Sequence, residues 1–403
     1  MPPPVDTRFT LTVLAGTTLA QVASVMAATT LPSVAPQAAA DLGIGASLIG
    51  YQVSFLYLAA MSSTALAAGL IRNWGACRMM QASLAMSAIG ACCAAIPSMA
   101  AILAGSLAMG MALGGLAPAS SHLLARFSPP NRRNFFFSFK QTGVPGGGMA
   151  AALVAPPITL AFGYRWALVL AGCFAIALAL WLQRVRARWD DDREPVVQGA
   201  SNPLSGLGLM WKTRALRWIA MEGFCFSFVQ LCWTTFLVTL LVEEFGYSLL
   251  RAGVLLSLTQ ASGVLSRIAW GLVADRSGNA RGVLVIMAAI MVASCVMLAA
   301  HGAPMSAALV AALAVSFGIS SVGWNGIFLA EVAKLAPAGR VGAATGGVMT
   351  LTYGGILVGP AVFSTVYPLI GSYAGTFWLL AAVAGAGWVF LNLCYRVSGQ
   401  PAV

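Results

Sequence analysis

Long runs of apolar residues, separated by short segments that contain charges, proline or glycine, cover almost the whole chain. A helix that crosses a lipid bilayer needs about 20 mostly apolar residues, and this criterion divides the sequence into twelve predicted transmembrane helices. They cover residues 9–35, 46–71, 79–97, 99–126, 135–161, 164–185, 215–242, 248–274, 282–301, 304–334, 340–367 and 373–396. The pattern therefore predicts an all-α integral membrane protein with twelve transmembrane helices.

The positions of the basic residues support this number independently. With both termini on the cytoplasmic side, 18 of the 22 Lys and Arg residues fall in cytoplasmic segments, and only Arg165 and Arg251 fall on the opposite side. Cytoplasmic loops of membrane proteins carry such an excess of basic residues, and an error of one helix would scramble the distribution. We predict a multi-pass protein of the cell inner (plasma) membrane with both termini in the cytoplasm.

The composition excludes several other classes of protein. Of the 403 residues, 59% are hydrophobic and only 8% are charged, whereas roughly a quarter of the residues in an ordinary soluble domain are charged. The net charge of +11 does not predict nucleic-acid binding, because the basic residues flank apolar runs and do not form one solvated face. Neither a metal site nor a cofactor site is predicted from the eight scattered cysteines and two histidines. The predicted partners are membrane lipid and a small molecule, and nothing in the sequence requires more than a monomer.

One long polar segment divides the twelve helices into six and six. It runs from about Val185 to Arg214 and contains R-V-R-A-R-W-D-D-D-R-E-P, followed by a stretch rich in Gly, Ser, Asn and Pro. Charged segments with many helix breakers are typical of connectors. We predict an N-terminal six-helix bundle over 1–185, a cytoplasmic linker over 186–214 and a C-terminal six-helix bundle over 215–403.

The two predicted bundles share landmarks at a nearly constant spacing. Gly75 and Gly278 follow the second and eighth helices, 203 residues apart, and Pro156 and Pro360 lie in the fifth and eleventh helices, 204 residues apart. Parallel repeats related by an axis along the membrane normal occur in transporters. The two bundles are therefore predicted to be pseudo-symmetric.

Glycine pairs at G-x-x-x-G spacing predict where helices pack closely, because lipid gives helices no hydrophobic reason to associate and close backbone contact has to replace it. These pairs are Gly110 and Gly114, Gly143 and Gly147, Gly342 and Gly346, and Gly355 and Gly359.

The segment G-L-V-A-D-R-S-G, Gly271–Gly278, resembles the signature G-x-x-x-D-R-x-G loop of the major facilitator superfamily. Together with the twelve helices, the division into six and six, and the paired loops, this resemblance covers the whole chain. It implies that superfamily's fold and transport by alternating access. The corresponding first-half segment, A-G-L-I-R-N-W-G, departs from the signature, because Arg72 replaces the acid and Asn73 replaces the arginine.

Candidate gating residues follow from the second-half loop. Asp275 can face a helix N-terminus in the other half, and Arg276 or Arg281 can reach Glu331 at the end of the tenth predicted helix. Such contacts would hold the cytoplasmic side closed in one state. An ordinary charged loop is the competing interpretation.

Arg267 is the principal candidate for substrate binding. It lies eight residues before Asp275, about 12 Å inside the cytoplasmic boundary at 1.5 Å per residue, near the middle of a hydrocarbon core about 30 Å thick. A charge at this depth needs a partner or a function, and a guanidinium suits a carboxylate because it donates two parallel hydrogen bonds. The spacing of Arg267, Gly271 and Asp275 also resembles that of the superfamily's oxalate and monocarboxylate transporters, which implies a substrate carboxylate at Arg267. A structural ion pair is the alternative.

Two further ionisable residues fall well inside predicted helices. Lys140 lies seven residues beyond Arg133, at a depth similar to that of Arg267, so one small anion could contact both; a side chain that extends to the cytoplasmic interface is the other interpretation. Glu222 is a carboxylate in the seventh predicted helix. It could pair with Lys140 or Arg267, or it could carry a coupling proton.

Polar residues at other positions in the helices are candidates for lining the transport path, although each alone is more often a packing residue. They are Gln21, Tyr51, Gln52, Gln141, Gln230, Gln260, Trp324, Asn325 and Tyr353.

These residues together predict a secondary active transporter that moves a small organic anion, a carboxylate, coupled to protons or to a counter-anion. The alternative is a proton-coupled exporter of drugs or other lipophilic or cationic compounds. The superfamily's drug/proton antiporters typically carry an arginine in the fourth helix, and the stretch G-S-L-A-M-G-M-A-L-G-G there is uncharged, which favours the anion carrier. No catalytic constellation is present in the sequence, so an enzyme is not predicted.

Overall fold

The computed structural model describes residues 7–129, 132–192, 205–301, 304–337 and 340–397, and the regular elements within these ranges are all helices. The helices are α1 (Thr7–Ser33), α2 (Ala35–Leu42), α3 (Ile49–Trp74), α4 (Ala76–Ala94), α5 (Met99–Phe127), α6 (Arg133–Gln141), α7 (Gly143–Phe162), α8 (Tyr164–Gln183), α9 (Arg186–Trp189), α10 (Ser205–Lys212), α11 (Arg214–Glu243), α12 (Leu249–Ser277), α13 (Ala280–His301), α14 (Ala307–Phe317), α15 (Asn325–Leu335), α16 (Val341–Ile370) and α17 (Tyr373–Val397).

Helical segments occupy all twelve predicted positions, and the all-α membrane fold is confirmed. Within the described ranges, ten of them are long and apolar enough to cross a membrane. Helix α2 and the segment Ala46–Thr64 form a bent pair at 116°, which makes eleven if the pair is counted as one span. The third predicted span, α4, is not among the ten, and its first turns carry the polar residues Arg78 and Gln81.

Two of the predicted spans are interrupted. The fifth consists of α6 and α7, which meet at Thr142. Pro145 accounts for this break, because a proline has no N–H to donate to the carbonyl four residues earlier, at Gln141. The tenth consists of α14 and α15, which are joined by a π-helical turn over Gly318–Val322. The sequence pattern predicted continuous helices at both places.

Contacts divide the chain into two compact units, residues 1–43 with 55–199 and residues 44–54 with 200–403. In the first unit, α1 packs against α5, α7 and α8, and α4 packs against α5 and α8. In the second unit, α11 packs against α16 and α17, and α13 packs against α17. The beginning of α3 belongs to the second unit, where the Tyr51 hydroxyl lies 2.8 Å from Thr365 Oγ1 on α16.

Three of the four predicted glycine pairs lie at close helix contacts. A Cβ added to Gly143 or Gly147 would lie 2.9 Å from the Thr18 carbonyl oxygen or 2.7 Å from the Val22 carbonyl oxygen on α1. Gly110 and Gly114 approach the backbone of α3 in the same way, and Gly355 and Gly359 approach that of α11. The prediction is wrong for Gly342 and Gly346, because no described atom lies within 4 Å of a Cβ added there.

The first residues of the predicted linker are folded against the first unit. Trp189 of α9 is fully buried, and a Cβ added to Gly16 of α1 would lie 2.8 Å from its ring. The next residue, Asp190, is 2% exposed. Its carboxylate accepts hydrogen bonds from the backbone N–H groups of Cys77, at 2.7 Å, and Arg78, at 3.0 Å.

Asp190 therefore caps the N-terminus of α4. The first N–H groups of a helix have no partner within the helix, and the helix dipole favours a negative charge at this end. Gly75 makes the contact possible: its φ is 92°, and a Cβ there would overlap the Asp190 carboxylate. The linker prediction had assigned no structural role to this aspartate.

The two following aspartates make more exposed contacts. Asp191 and Asp192 both pair with Arg126 of α5, and His122 Nε2 lies 2.8 Å from Asp192 Oδ2. Ion pairs between exposed side chains contribute little to stability.

Replacing Asp190 by alanine is expected to destabilise the first unit by about 1–2 kcal/mol, the usual loss for a helix cap. Asp190→Asn keeps an acceptor oxygen and should lose less. The melting temperature of purified protein in detergent measures both effects. Asp191→Ala is the matched control, because Asp191 is 58% exposed, and equal melting temperatures for Asp190→Ala and Asp191→Ala would contradict the cap.

Candidate functional site

Arg267 lies on α12 and is held against the interrupted tenth span of the same unit. Its Nε donates a hydrogen bond to the Val322 carbonyl at 3.1 Å. Trp270, one turn further along, donates its indole N–H to the Ile319 carbonyl at 2.9 Å. Both acceptors belong to the π-helical turn.

Small residues on α12 permit this approach. A Cβ added to Gly263 would lie 2.5 Å from Cγ1 of Val322, and one added to Gly323 would overlap the Ser266 hydroxyl. Closer to the N-terminus of α12, the Thr259 hydroxyl donates a hydrogen bond to the Ala314 carbonyl of α14 at 3.0 Å. The contact between α12 and the tenth span is therefore a close one, lined with hydrogen-bond donors.

Glu222 lies on α11 and is fully buried. Neither of its carboxyl oxygens has a hydrogen-bond partner among the residues that the structure describes. Cys225, three residues further along the same helix, is also buried. Leaving a buried ionised carboxylate without hydrogen bonds is costly, so this position calls for a proton or a partner.

Lys140 lies at the end of α6 in the first unit and is only 3% exposed. Its Nζ lies 3.5 Å from the Ala117 carbonyl oxygen of α5. Residues 42–189 contain no Asp or Glu, so none of the helices from α3 to α9 offers a carboxylate to neutralise this ammonium group. Its charge is buried against a neutral acceptor.

The other polar candidates are divided between buried and exposed positions. Gln21, Gln52 and Gln260 are buried, and the Gln21 side-chain oxygen has no partner among the described residues. Tyr353 on α16 is 36% exposed. Gln141 is exposed and Asn325 is partly buried.

Trp324 and Gln230 bind each other. The Trp324 indole N–H donates to Gln230 Oε1 at 3.0 Å and joins α11 to the residue that precedes α15. Trp324 is fully buried and packs edge-to-face on Phe226 and Phe328. Both side chains thus have a structural role in the second unit.

The candidate gating residues lie at helix ends of the second unit. Asp275 and Arg276 are exposed at the end of α12. Arg281 lies 4.1 Å above the ring of Tyr395, and Glu331 accepts a hydrogen bond from Lys334 Nζ at 2.7 Å. The pairing of Glu331 with Lys334, three residues along the same helix, was not predicted.

Sequence reasoning did not identify Trp270 or the carbonyls of the π-helical turn. The small residues Ser262 and Gly263, followed one turn later on α12 by Ser266, indicate a close helix contact. It does not reveal which carbonyls of the other helix are available.

A family model described as the Major Facilitator Superfamily matches residues 17–360. Two uncharacterized MFS-type transporters of Mycobacterium tuberculosis are similar to this chain: that of strain CDC 1551 / Oshkosh is 27% identical over 283 residues, and that of strain ATCC 25618 / H37Rv is 28% identical over 194 residues. The matches cover 68% and 47% of this chain, and they span 61% and 42% of the relatives' length. A hexuronate transporter of Bacillus subtilis (strain 168) is 22% identical over 309 residues, covering 73% of this chain and 72% of the relative.

Two solved structures share the fold. A mutant of the nucleoside transporter NupG has a TM-score of 0.76 at 15% identity, covering 94% of this chain and 99% of the other. A bacterial homolog of the human lysosomal transporter Spinster, in an inward-facing and unoccupied conformation, also has a TM-score of 0.76, at 14% identity, and covers 98% of this chain and 99% of the other.

Proposed function

Because this chain belongs to the major facilitator superfamily of membrane transporters, we propose that it is a secondary active transporter that moves a small organic anion, a carboxylate, by alternating access. The family and the apolar helices make it a multi-pass membrane transporter and not an enzyme. The nature of the cargo and the coupling mode are proposals. We also propose that the protein lies in the inner membrane with both termini in the cytoplasm, because its basic residues are concentrated on that side.

The buried charge of Lys140 is the observation that carries the anion proposal. An ammonium group removed from water needs hydrogen bonds and an opposite charge if it is to keep its proton at low cost. Lys140 is buried, its hydrogen bond is to a neutral carbonyl, and no acid is present in residues 42–189. An anionic cargo would supply a charge of opposite sign.

Arg267 is proposed as the principal anion ligand. The guanidinium keeps its charge and offers paired N–H donors to a carboxylate. The relative from Bacillus subtilis is a hexuronate transporter, and a hexuronate is a sugar carboxylate. We therefore include hexuronates among the cargoes to be tested, together with mono- and dicarboxylates.

Glu222 is proposed as the coupling residue. Its carboxyl group is buried without a hydrogen-bond partner among the described residues, which favours the protonated, neutral form. When the helix surroundings open to water, the group can release this proton. Proton release and cargo movement would then be linked. Exchange against a counter-anion is the other coupling mode.

The same buried acid favours the second candidate function, a proton-coupled exporter of lipophilic or cationic compounds. An acidic side chain is the group that would attract a cation. Resistance profiling of an expressing strain against toxic cations separates the two functions, because an anion carrier confers no protection.

Replacing Arg267 by alanine should raise the KM for the anion by about 10–100-fold, the effect of losing a charge-assisted hydrogen bond of about 1.5–3 kcal/mol. A thermal-shift screen first selects the anion, since a ligand stabilises only the folded form. Uptake of labelled glucuronate, lactate and oxalate into proteoliposomes then measures KM. Arg251→Ala is the matched control, because Arg251 is an exposed arginine on the same helix. Wild-type affinity in Arg267→Ala would refute the assignment.

Replacing Lys140 by methionine should reduce uptake of the same anions at least tenfold, because the substitution keeps the apolar stem but removes the charge, a loss comparable to that of a hydrogen bond to a charged group. Lys140→Arg preserves the charge and should retain part of the activity. Lys212→Met, at an exposed lysine, is the control. Full uptake by Lys140→Met would show that the lysine has no contact with the cargo.

Replacing Glu222 by glutamine should abolish accumulation driven by a pH gradient while leaving exchange of labelled for unlabelled anion intact. The amide is nearly isosteric with the protonated acid but cannot release a proton. Both transport modes are measured in the same proteoliposomes. Glu243→Gln, at the end of the same helix, is the control, and pH-driven accumulation by Glu222→Gln would exclude Glu222 as the coupling group.

A further inference from the structure

The contact between α12 and the π-helical turn has a regular geometry. Arg267 and Trp270 are three residues apart on α12, and their acceptors, the carbonyls of Val322 and Ile319, are three residues apart on the turn, at 3.1 Å and 2.9 Å. Two adjacent donors on one helix therefore meet two adjacent acceptors on the other.

A π-helical turn explains why acceptors are available there. Backbone bonds in a π-helix run from residue i to i+5 and replace the regular i to i+4 pattern. At the ends of such a turn the two patterns do not join, and carbonyls need partners from outside the helix. The side chains of Arg267 and Trp270 supply two of these partners.

The hydrogen bond from Nε restricts the guanidinium of Arg267. An arginine side chain has several rotatable bonds and loses considerable entropy when a ligand immobilises it. A donor near the end of the chain that is already bonded to the backbone fixes the plane of the group before the ligand arrives. Preorganisation of this kind increases affinity without a new ligand contact.

We propose that the π-helical turn of the tenth span and Trp270 are positioning elements that orient the Arg267 guanidinium for its anion. This inference rests on the proposed function of Arg267 as the anion ligand. Trp270 acts indirectly. Its hydrogen bond to the Ile319 carbonyl holds the π-helical turn against α12, and the Val322 carbonyl of that turn holds Nε of Arg267. A displacement of the tenth span relative to α12 breaks both contacts together and lowers the affinity for the anion.

Two pairs of variants test this inference with the anion, among labelled glucuronate, lactate and oxalate, that the wild-type protein takes up. Trp270→Phe removes the N–H donor and keeps an aromatic ring; its control is Trp378→Phe, at a tryptophan that is 52% exposed on α17. Gly263→Ala pushes Val322 away from α12; its control is Gly271→Ala, also on α12, where an added Cβ meets no described atom within 4 Å.

Trp270→Phe and Gly263→Ala should each raise KM about threefold to tenfold, the effect of immobilising one flexible side chain at the moment of binding. The maximal rate should stay within about twofold of wild type, and both controls should keep the wild-type KM. A general folding defect would instead lower the maximal rate and leave KM unchanged, and that result would overturn the inference.

A double-mutant cycle separates positioning from a general structural effect. Lysine has no Nε donor equivalent to that of arginine, so Trp270→Phe should have almost no further effect on KM in an Arg267→Lys background. An undiminished effect there would overturn the inference. Where Arg267→Lys transports too slowly for a KM, the split between KM and maximal rate in the single variants decides.

The anion-binding role of Arg267 and the positioning role of Trp270 and the turn are distinguished by different results. If Arg267→Ala keeps the wild-type KM, or if none of the three anions is taken up, the proposed function fails and the positioning role falls with it. If Arg267→Ala is impaired while Trp270→Phe and Gly263→Ala keep the wild-type KM, the anion ligand stands and only the positioning role is wrong.

Discussion

A charge is costly inside a hydrocarbon layer, and three ionisable side chains of this chain lie well inside predicted membrane-spanning helices. In the first unit, Lys140 Nζ lies 3.5 Å from the Ala117 carbonyl oxygen. In the second unit, Arg267 Nε donates a hydrogen bond to the Val322 carbonyl, and Glu222 is an acid without a hydrogen-bond partner among the described residues. A helix bundle selected only for stability has no reason to keep them, because apolar side chains of similar size pack at lower cost.

The same constraint applies to the backbone. In lipid, every N–H and C=O group needs a partner within the protein, so departures from regular helix must be compensated by side chains. The π-helical turn at Gly318–Val322 is compensated by Trp270 and Arg267, and the N-terminus of α4 is compensated by Asp190. Arg267 is both a partner of the π-helical turn and the candidate anion ligand, so the geometry of the turn affects the orientation of the guanidinium.

The sequence predicted the helices well because lipid imposes a simple rule on them: a long apolar run has to be a helix. It also predicted three of the four glycine pairs correctly, because helices in lipid approach closely where their residues are small. The two helix interruptions, after Gln141 and at Gly318–Val322, were harder to predict from the sequence. Pro145 marks the break after Gln141, whereas no residue type distinguishes the π-helical turn from a regular helix containing glycines. The cap at α4 joins residues more than 110 positions apart, and a W-D-D-D run beside helix breakers resembles a solvated linker. Among the candidate site residues, the sequence identified the charges but not the carbonyls that orient them.

The two halves differ at their signature loops, because the acidic residue occupies a different position in each. In the first half Arg72 replaces the signature acid, and the loop at Gly75 is bound by Asp190 of the same unit, whose carboxylate is buried. In the second half Asp275 is exposed at the end of α12, eight residues beyond Arg267. A carboxylate that already caps a helix within its own unit cannot form and break a contact during a transport cycle without exposing that helix end, whereas an exposed carboxylate can. The asymmetry therefore favours a gate that depends on the second-half loop, placed on the same helix as the proposed anion ligand.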